Sequence, residues 1–143
     1  MQHVEVQKLI PAPVQTVWNR YTDHVSWTEW SGMGNCRLER EGVPAPNGVG
    51  CIRAFSRFGI TAVYEQVLLF EIPQRMVYKI VKGGGPIGDH EGEVLFEPSD
   101  GGTLITWRCK FNSKVPGMGG AIRAMIKRMF NGALEGLAKD LSG

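Results

Sequence analysis

Arg53 and Glu65 occupy two stretches of alternating residues that meet at Phe58-Gly59. If the chain turns back at Gly59, residues whose numbers sum to 118 stand opposite one another, and this pair meets that condition. Cys51, Phe55, Val63, Val67 and Leu69 share the face of the pair, so the spacing predicts that both charges lie on the inner surface of a sheet. A buried charge without a partner costs several kcal/mol or more, which makes Arg53 and Glu65 obligate partners. Such a pair either fixes the polar end of a ligand or is a structural cross-strand ion pair with no ligand contact.

Alternation brings three more polar side chains to the same surface. Met76, Tyr78 and Ile80 share one face of their segment, and Lys79 marks the other as solvent. Glu91, Glu93 and Glu97 face water, which turns His90, Gly92, Val94 and Phe96 inward. Arg108 and Lys110 leave Thr103, Ile105, Trp107, Cys109 and Phe111 inside. His90 is then the only histidine on the inner surface, able to act as acid or base near neutral pH, with Tyr78 as the second candidate proton carrier. The alternative for His90 is a satisfied, partly buried histidine at a strand end. Arg53, Phe55, Glu65, Val67, Met76, Tyr78, His90 and Trp107 make up the expected wall of a pocket. Met125 and Met129 are expected to complete it from a helix, as adaptable apolar side chains.

Other chemistries are absent from the pattern. No His, Cys, Asp and Glu cluster has metal-ligand spacing, and Asp89-His90-Glu91 would alternate faces, so no metal is expected. Gly83-Gly84-Gly85-Pro86 lacks a following Lys and Ser/Thr and joins two strands, so it reads as a pocket-rim loop and not as a phosphate cradle. No cofactor motif is present, and none is expected. Cys36, Cys51 and Cys109 are far apart and odd in number, which predicts reduced, packed thiols.

The elements that must position these residues follow from periodicity. The 143 residues bound the chain to about one domain, spanning 1–143. Sixteen basic against fourteen acidic residues leave a net charge of +2, too balanced for a nucleic-acid footprint. A hydrophobic fraction of 43% predicts a folded chain, and no apolar run approaches the ~18 residues of a membrane span. Met1-Gln2-His3-Val4-Glu5 does not resemble a signal peptide, which makes the cytoplasm the expected compartment. A monomer and a homodimer are both compatible with the sequence.

Alternation before Pro11 predicts a first strand; Pro13 with Val14, Val17, Trp18 and Tyr21 predicts a helix, and Asp23 to Trp30 a second, shorter one. Six strands follow, at about 35–41, 49–58, 61–71, 75–82, 88–97 and 102–112, in an antiparallel meander. From Met118 to Leu141 the helical period returns, with Met118, Ile122, Met125, Met129, Ala133, Leu137 and Leu141 on one stripe and Arg123, Lys127, Arg128 and Lys139 largely off it. These elements bury their apolar faces together if the sheet curls around the last helix. The expected class is α+β, with a seven-stranded antiparallel curved sheet wrapped around a long C-terminal helix and two short helices after the first strand.

The order of elements and several local strings resemble the helix-grip, SRPBCC or START-like superfamily, and within it the polyketide cyclase/dehydrase-like proteins. The strings are Ile10-Pro11-Ala12-Pro13 before Val17-Trp18, Asp23 with Trp27 and Trp30, Gly48-Val49-Gly50-Cys51-Ile52-Arg53, Tyr64-Glu65-Gln66-Val67, and Gly101-Gly102-Thr103-Leu104-Ile105-Thr106-Trp107. The resemblance covers nearly the whole chain. It implies a binder of a small hydrophobic ligand, aromatic, polyketide-like or lipid-like, held between sheet and helix. Two alternatives remain open on one scaffold. One is a cyclase- or dehydrase-type enzyme in which His90 or Tyr78 moves protons while Arg53 stabilises an enolate; the other is an interaction protein similar to the superfamily's chaperone regulators.

Overall fold

The computed structural model describes residues 1–142. Its elements are β1 (Gln2–Ile10), α1 (Val14–Thr22), a single 3₁₀ turn (His24–Ser26), α2 (Trp27–Trp30), β2 (Asn35–Arg40), β3 (Ile52–Arg57), β4 (Ile60–Glu71), β5 (Arg75–Gly83), β6 (Ile87–Ser99), β7 (Gly102–Ser113) and α3 (Gly119–Ser142). The strands form one antiparallel sheet in the order β1-β7-β6-β5-β4-β3-β2. The meander runs from β2 to β7 through short hairpins after β3 and a longer connection, residues 41–51, before it, and β1 then closes on β7 with Val6 opposite Trp107. Residues 49–51 precede β3 instead of belonging to it; the segment before the strand folds back on itself through a Val43–Val49 bridge.

Side chains on the inner face meet α1, α2 and α3 in one aromatic-rich core. Trp18 packs against Phe70 and Phe96, and Tyr21 lies edge-on to Trp27, Phe96 and Trp107. Trp107 stacks on Phe130 of α3 with ring centres 3.8 Å apart and planes within 8°. The far end of α3 is tied to α1 by Arg20, whose Nε and Nη2 donate to the two carboxylate oxygens of Asp140 at 2.8 and 3.0 Å. Paired donors and paired acceptors make this a geometrically specific clamp.

Two expectations about faces are corrected. A bulge between Val67 and Leu69 shifts the register of β4 by one, so Phe70 pairs with buried Met76 while Leu69 pairs with Val77 on the other face. A one-residue slip reverses every later side chain, and Phe70 replaces Leu69 in the core. The second correction concerns α3. Its buried stripe is Ile122, Ile126, Phe130, Ala133, Leu134 and Leu137, whereas Met125 and Met129 are 49% and 39% exposed. The expected and observed stripes share Ile122, Ala133 and Leu137 and diverge between them. Over those two turns either phase satisfies the helical period, and stacking of Phe130 on Trp107 selects the one that buries Ile126.

Candidate functional site

A cavity of about 590 Å³ lies between the inner face of β3–β6 and the middle of α3. Its room comes from a break in the sheet. The β5–β6 ladder runs from Arg75–Leu95 to Tyr78–Gly92 and ends there, so the strands diverge where the cavity opens. Gly92 is needed at that last pair: a Cβ on it would stand 2.3 Å from Cζ of Tyr78, whose ring lies across β6. Phe55, Val63, Ile80, Ile87, Ile126 and Phe130 supply apolar wall, and Arg57, Arg128 and Met129 also border the space.

Where the ladder ends, the Ile80 amide loses its strand partner and donates instead to Nδ1 of His90 at 3.3 Å. An N–H donor at Nδ1 requires that nitrogen to be unprotonated, so the ring proton sits on Nε2. Burial lowers the His90 pKa below its usual value, with Arg53 adding to the shift and Glu65 opposing it, and the ring is neutral at pH 7. Nε2–H has no protein acceptor among the described residues.

Beside it, Glu65 is held by Arg53. The guanidinium donates from Nε to Oε1 at 3.0 Å, and Nη2 stands 2.9 Å from the same oxygen in the ion pair. Oε2 takes no hydrogen bond from the described residues. The two partners differ in depth: the Arg53 side chain is 1% exposed and that of Glu65 13%. Arg53 is enclosed by the rings of Trp27, Phe55 and Tyr78, its Cζ 4.8, 5.3 and 4.7 Å from their centres. Its remaining nitrogen, Nη1, meets Nδ1 of His24 at 3.2 Å. Opposite it, Nε2 of His24 donates to the Asn47 carbonyl at 3.1 Å, which leaves Nδ1 free to accept. All three guanidinium nitrogens therefore face protein groups.

Of the expected wall, Phe55, Glu65, Tyr78, His90 and Met129 border the cavity. Arg53, Val67, Met76, Trp107 and Met125 do not. Arg53, Val67, Met76 and Trp107 lie in the layer beneath, where the curled sheet presses against α1 and α2, and Met125 is turned to solvent by the phase of α3. Alternation reports which side of a strand a residue faces; it does not report how deep the next layer of packing lies. Trp107 acts at one remove, its Nε1–H donating to the Tyr78 hydroxyl at 2.8 Å while its ring backs Phe130. Tyr78 is thereby fixed, and burial raises its pKa well above the ordinary phenol range, so it holds its proton and is a poor base.

His24 carries no sequence signal for its role, because its partners come from β3 and from the loop at Asn47. Ile126 and Phe130, also unforeseen, repeat at four-residue spacing from Ile122, a signal masked by the competing methionine stripe. The thiols are inert: burial lifts the pKa of Cys36 and Cys109 to about 12 and that of Cys51 to about 11.

Burial, reinforced by the Arg53 charge, lowers the His24 pKa to about 3. Between pH 6.5 and 3 the unfolded chain binds a proton that the folded chain refuses. Stability then falls as the pH falls, by about 1.4 kcal/mol per unit for one proton. Replacing His24 by Gln, which can still accept from Arg53 and donate to Asn47, is expected to remove most of that slope. Urea unfolding at a series of pH values measures it; parallel profiles for variant and wild type would disprove the assignment.

A curled antiparallel sheet gripping a long C-terminal helix over an internal cavity defines a helix-grip protein. Over residues 1–142 the chain matches the family described as polyketide cyclase / dehydrase and lipid transport, and it belongs to that family. Among solved structures it is similar to XoxI from Bacillus cereus, with a TM-score of 0.80, 16% identity and coverage of 98% of this chain and 95% of that one. A protein from Thermobifida fusca also superposes with a TM-score of 0.80, at 21% identity and coverage of 96% and 91%. CalU16 from Micromonospora echinospora gives a TM-score of 0.71 at 19% identity, covering 97% of this chain and 73% of its own. At these identities the likeness is one of fold. No curated protein matches the sequence. Among the described residues no helix is long and apolar enough to cross a membrane, and no cluster of His, Cys, Asp and Glu could hold a metal ion.

Proposed function

We propose that the protein binds a small, largely hydrophobic molecule in the cavity between β3–β6 and α3. The observation that carries this reading is a space of about 590 Å³, walled mostly by apolar side chains and bordered by a few polar groups, Oε2 of Glu65 and Nε2–H of His90 among them, that take no protein partner, the usual makeup of a small-molecule site. Family membership supports it. Nile red, a neutral apolar fluorophore, is expected to bind with submillimolar affinity. Val63→Trp, which fills the cavity from its half-buried wall, should weaken binding about tenfold or more while leaving the melting temperature nearly unchanged. Equal binding by both proteins would place the dye elsewhere and defeat the proposal.

The same polar groups favour one second reading, acid–base turnover, in which Glu65 accepts a proton while Nε2–H of His90 stabilises the oxygen on which charge develops. Arg53 plays no direct part in it, being sealed beneath the wall. Mass spectrometry of material co-purifying with the gently isolated protein, before and after prolonged incubation, distinguishes a retained ligand from a converted one.

A further inference from the structure

We infer that the polar end of the cavity selects a neutral aromatic hydroxyl group, which donates to Oε2 of Glu65 and accepts from Nε2–H of His90. The inference rests on the binding function proposed above and adds the chemistry of the occupant.

The two protein atoms have opposite roles. Arg53 directs both Nε and Nη2 at Oε1, leaving Oε2 as an acceptor that no described residue satisfies. The Ile80 amide occupies Nδ1 of His90, leaving Nε2–H as a donor in the same position. Both residues border one cavity. An occupant that covers these two atoms strips their water, and a polar group stranded in that way costs on the order of 1–3 kcal/mol, so the preferred occupant is the one that meets both at once. A hydroxyl is the smallest group that is donor and acceptor on a single atom.

Competing groups each leave one side unmet or worse. A ketone accepts from His90 but offers nothing to Oε2. A carboxylate accepts from His90 and sets a second negative charge against Glu65. An ammonium donates to Glu65 but leaves Nε2–H without an acceptor, and the Glu65 charge it would seek is already balanced by Arg53 at 2.9 Å. Aromatic rather than aliphatic character follows from the wall, where Phe55, Tyr78 and Phe130 present rings to the space.

Naphthol, methylnaphthalene and naphthoate substituted at the same ring carbon form a matched set, to be measured at pH 7 by displacement of Nile red. Naphthol is expected to bind about tenfold more tightly than methylnaphthalene, and naphthoate more weakly than either. Glu65→Gln turns the Oε2 position into a donor; it should raise the affinity for naphthoate and lower that for naphthol. Because that variant leaves Arg53 without its counter-charge and is at risk of not folding, His90→Phe provides the second arm. It should erase the preference for naphthol over methylnaphthalene, read as the ratio of the two affinities within the same variant. Equal binding of the three compounds by the wild type, or a naphthol preference that survives His90→Phe, would overturn the hydroxyl assignment and leave the cavity's binding role standing. Nile red binding with displacement by none of the three overturns the hydroxyl assignment alone. Failure of the dye and all three compounds to bind overturns both.

Discussion

Arg53→Met is expected to destabilise the protein by about 3–5 kcal/mol, the range for breaking a buried ion pair from one side. The guanidinium is 1% exposed and is held by Glu65, by Nδ1 of His24 and by three aromatic rings. Methionine restores some of the packing volume but none of these contacts. The Glu65 carboxylate then stands almost buried without a counter-charge, and the His24 acceptor is orphaned. Most of the loss comes from those stranded groups rather than from the pair's own attraction. Arg53→Met combined with Glu65→Leu should therefore recover a substantial part of it, a non-additivity that a double-mutant cycle by urea unfolding measures. A single substitution costing less than about 1 kcal/mol would show that the network is not the buried anchor described here.

Gly136→Ala should be nearly as damaging, against the ordinary preference for alanine in helices, where it is worth roughly 1 kcal/mol over glycine. A Cβ at this position of α3 would lie 1.9 Å from the Trp30 carbonyl oxygen at the end of α2. That oxygen belongs to the backbone and cannot rotate away. Either α3 lifts from the tryptophan-bearing turn or α2 shifts, and both loosen the packing of Trp30 against Trp27 and Tyr21. A loss of about 2–4 kcal/mol is expected, as for overpacking and strain at a closed contact. Gly132→Ala is the control. It sits one turn earlier with nothing within 4 Å of the added Cβ, and it should be neutral or slightly stabilising by thermal unfolding. If both glycines respond alike, the close approach of α2 to α3 is wrong.

Local period made much of the architecture legible from residues alone. Alternation in a strand and 3.6-residue recurrence in a helix are imposed by backbone geometry, so they survive whatever the rest of the chain does. The seven strands, their antiparallel order, the two short helical segments and the terminal helix all follow from that. The cross-strand pairing of Arg53 with Glu65 was expected from a turn centred on Gly59; the turn itself pairs Arg57 with Ile60, and the bulge between the Ser56–Thr61 and Phe55–Val63 pairs supplies the extra residue that brings Arg53 opposite Glu65.

What tertiary structure alone decided is depth and company. Arg53 faces inward, yet it lies beneath the cavity because rings from α2, β3 and β5 close over it. His24 reaches Arg53 across 29 positions of sequence through a turn whose conformation depends on the Asn47 loop. The proton on His90 is placed by an amide that needs a partner only because the β5–β6 ladder stops at Tyr78. The phase of α3 was open to two stripes until Phe130 found the face of Trp107. Each of these depends on groups distant in sequence meeting at short range. A side chain's burial, protonation and partners are properties of that meeting, whereas the face it occupies on its own strand or helix belongs to the chain.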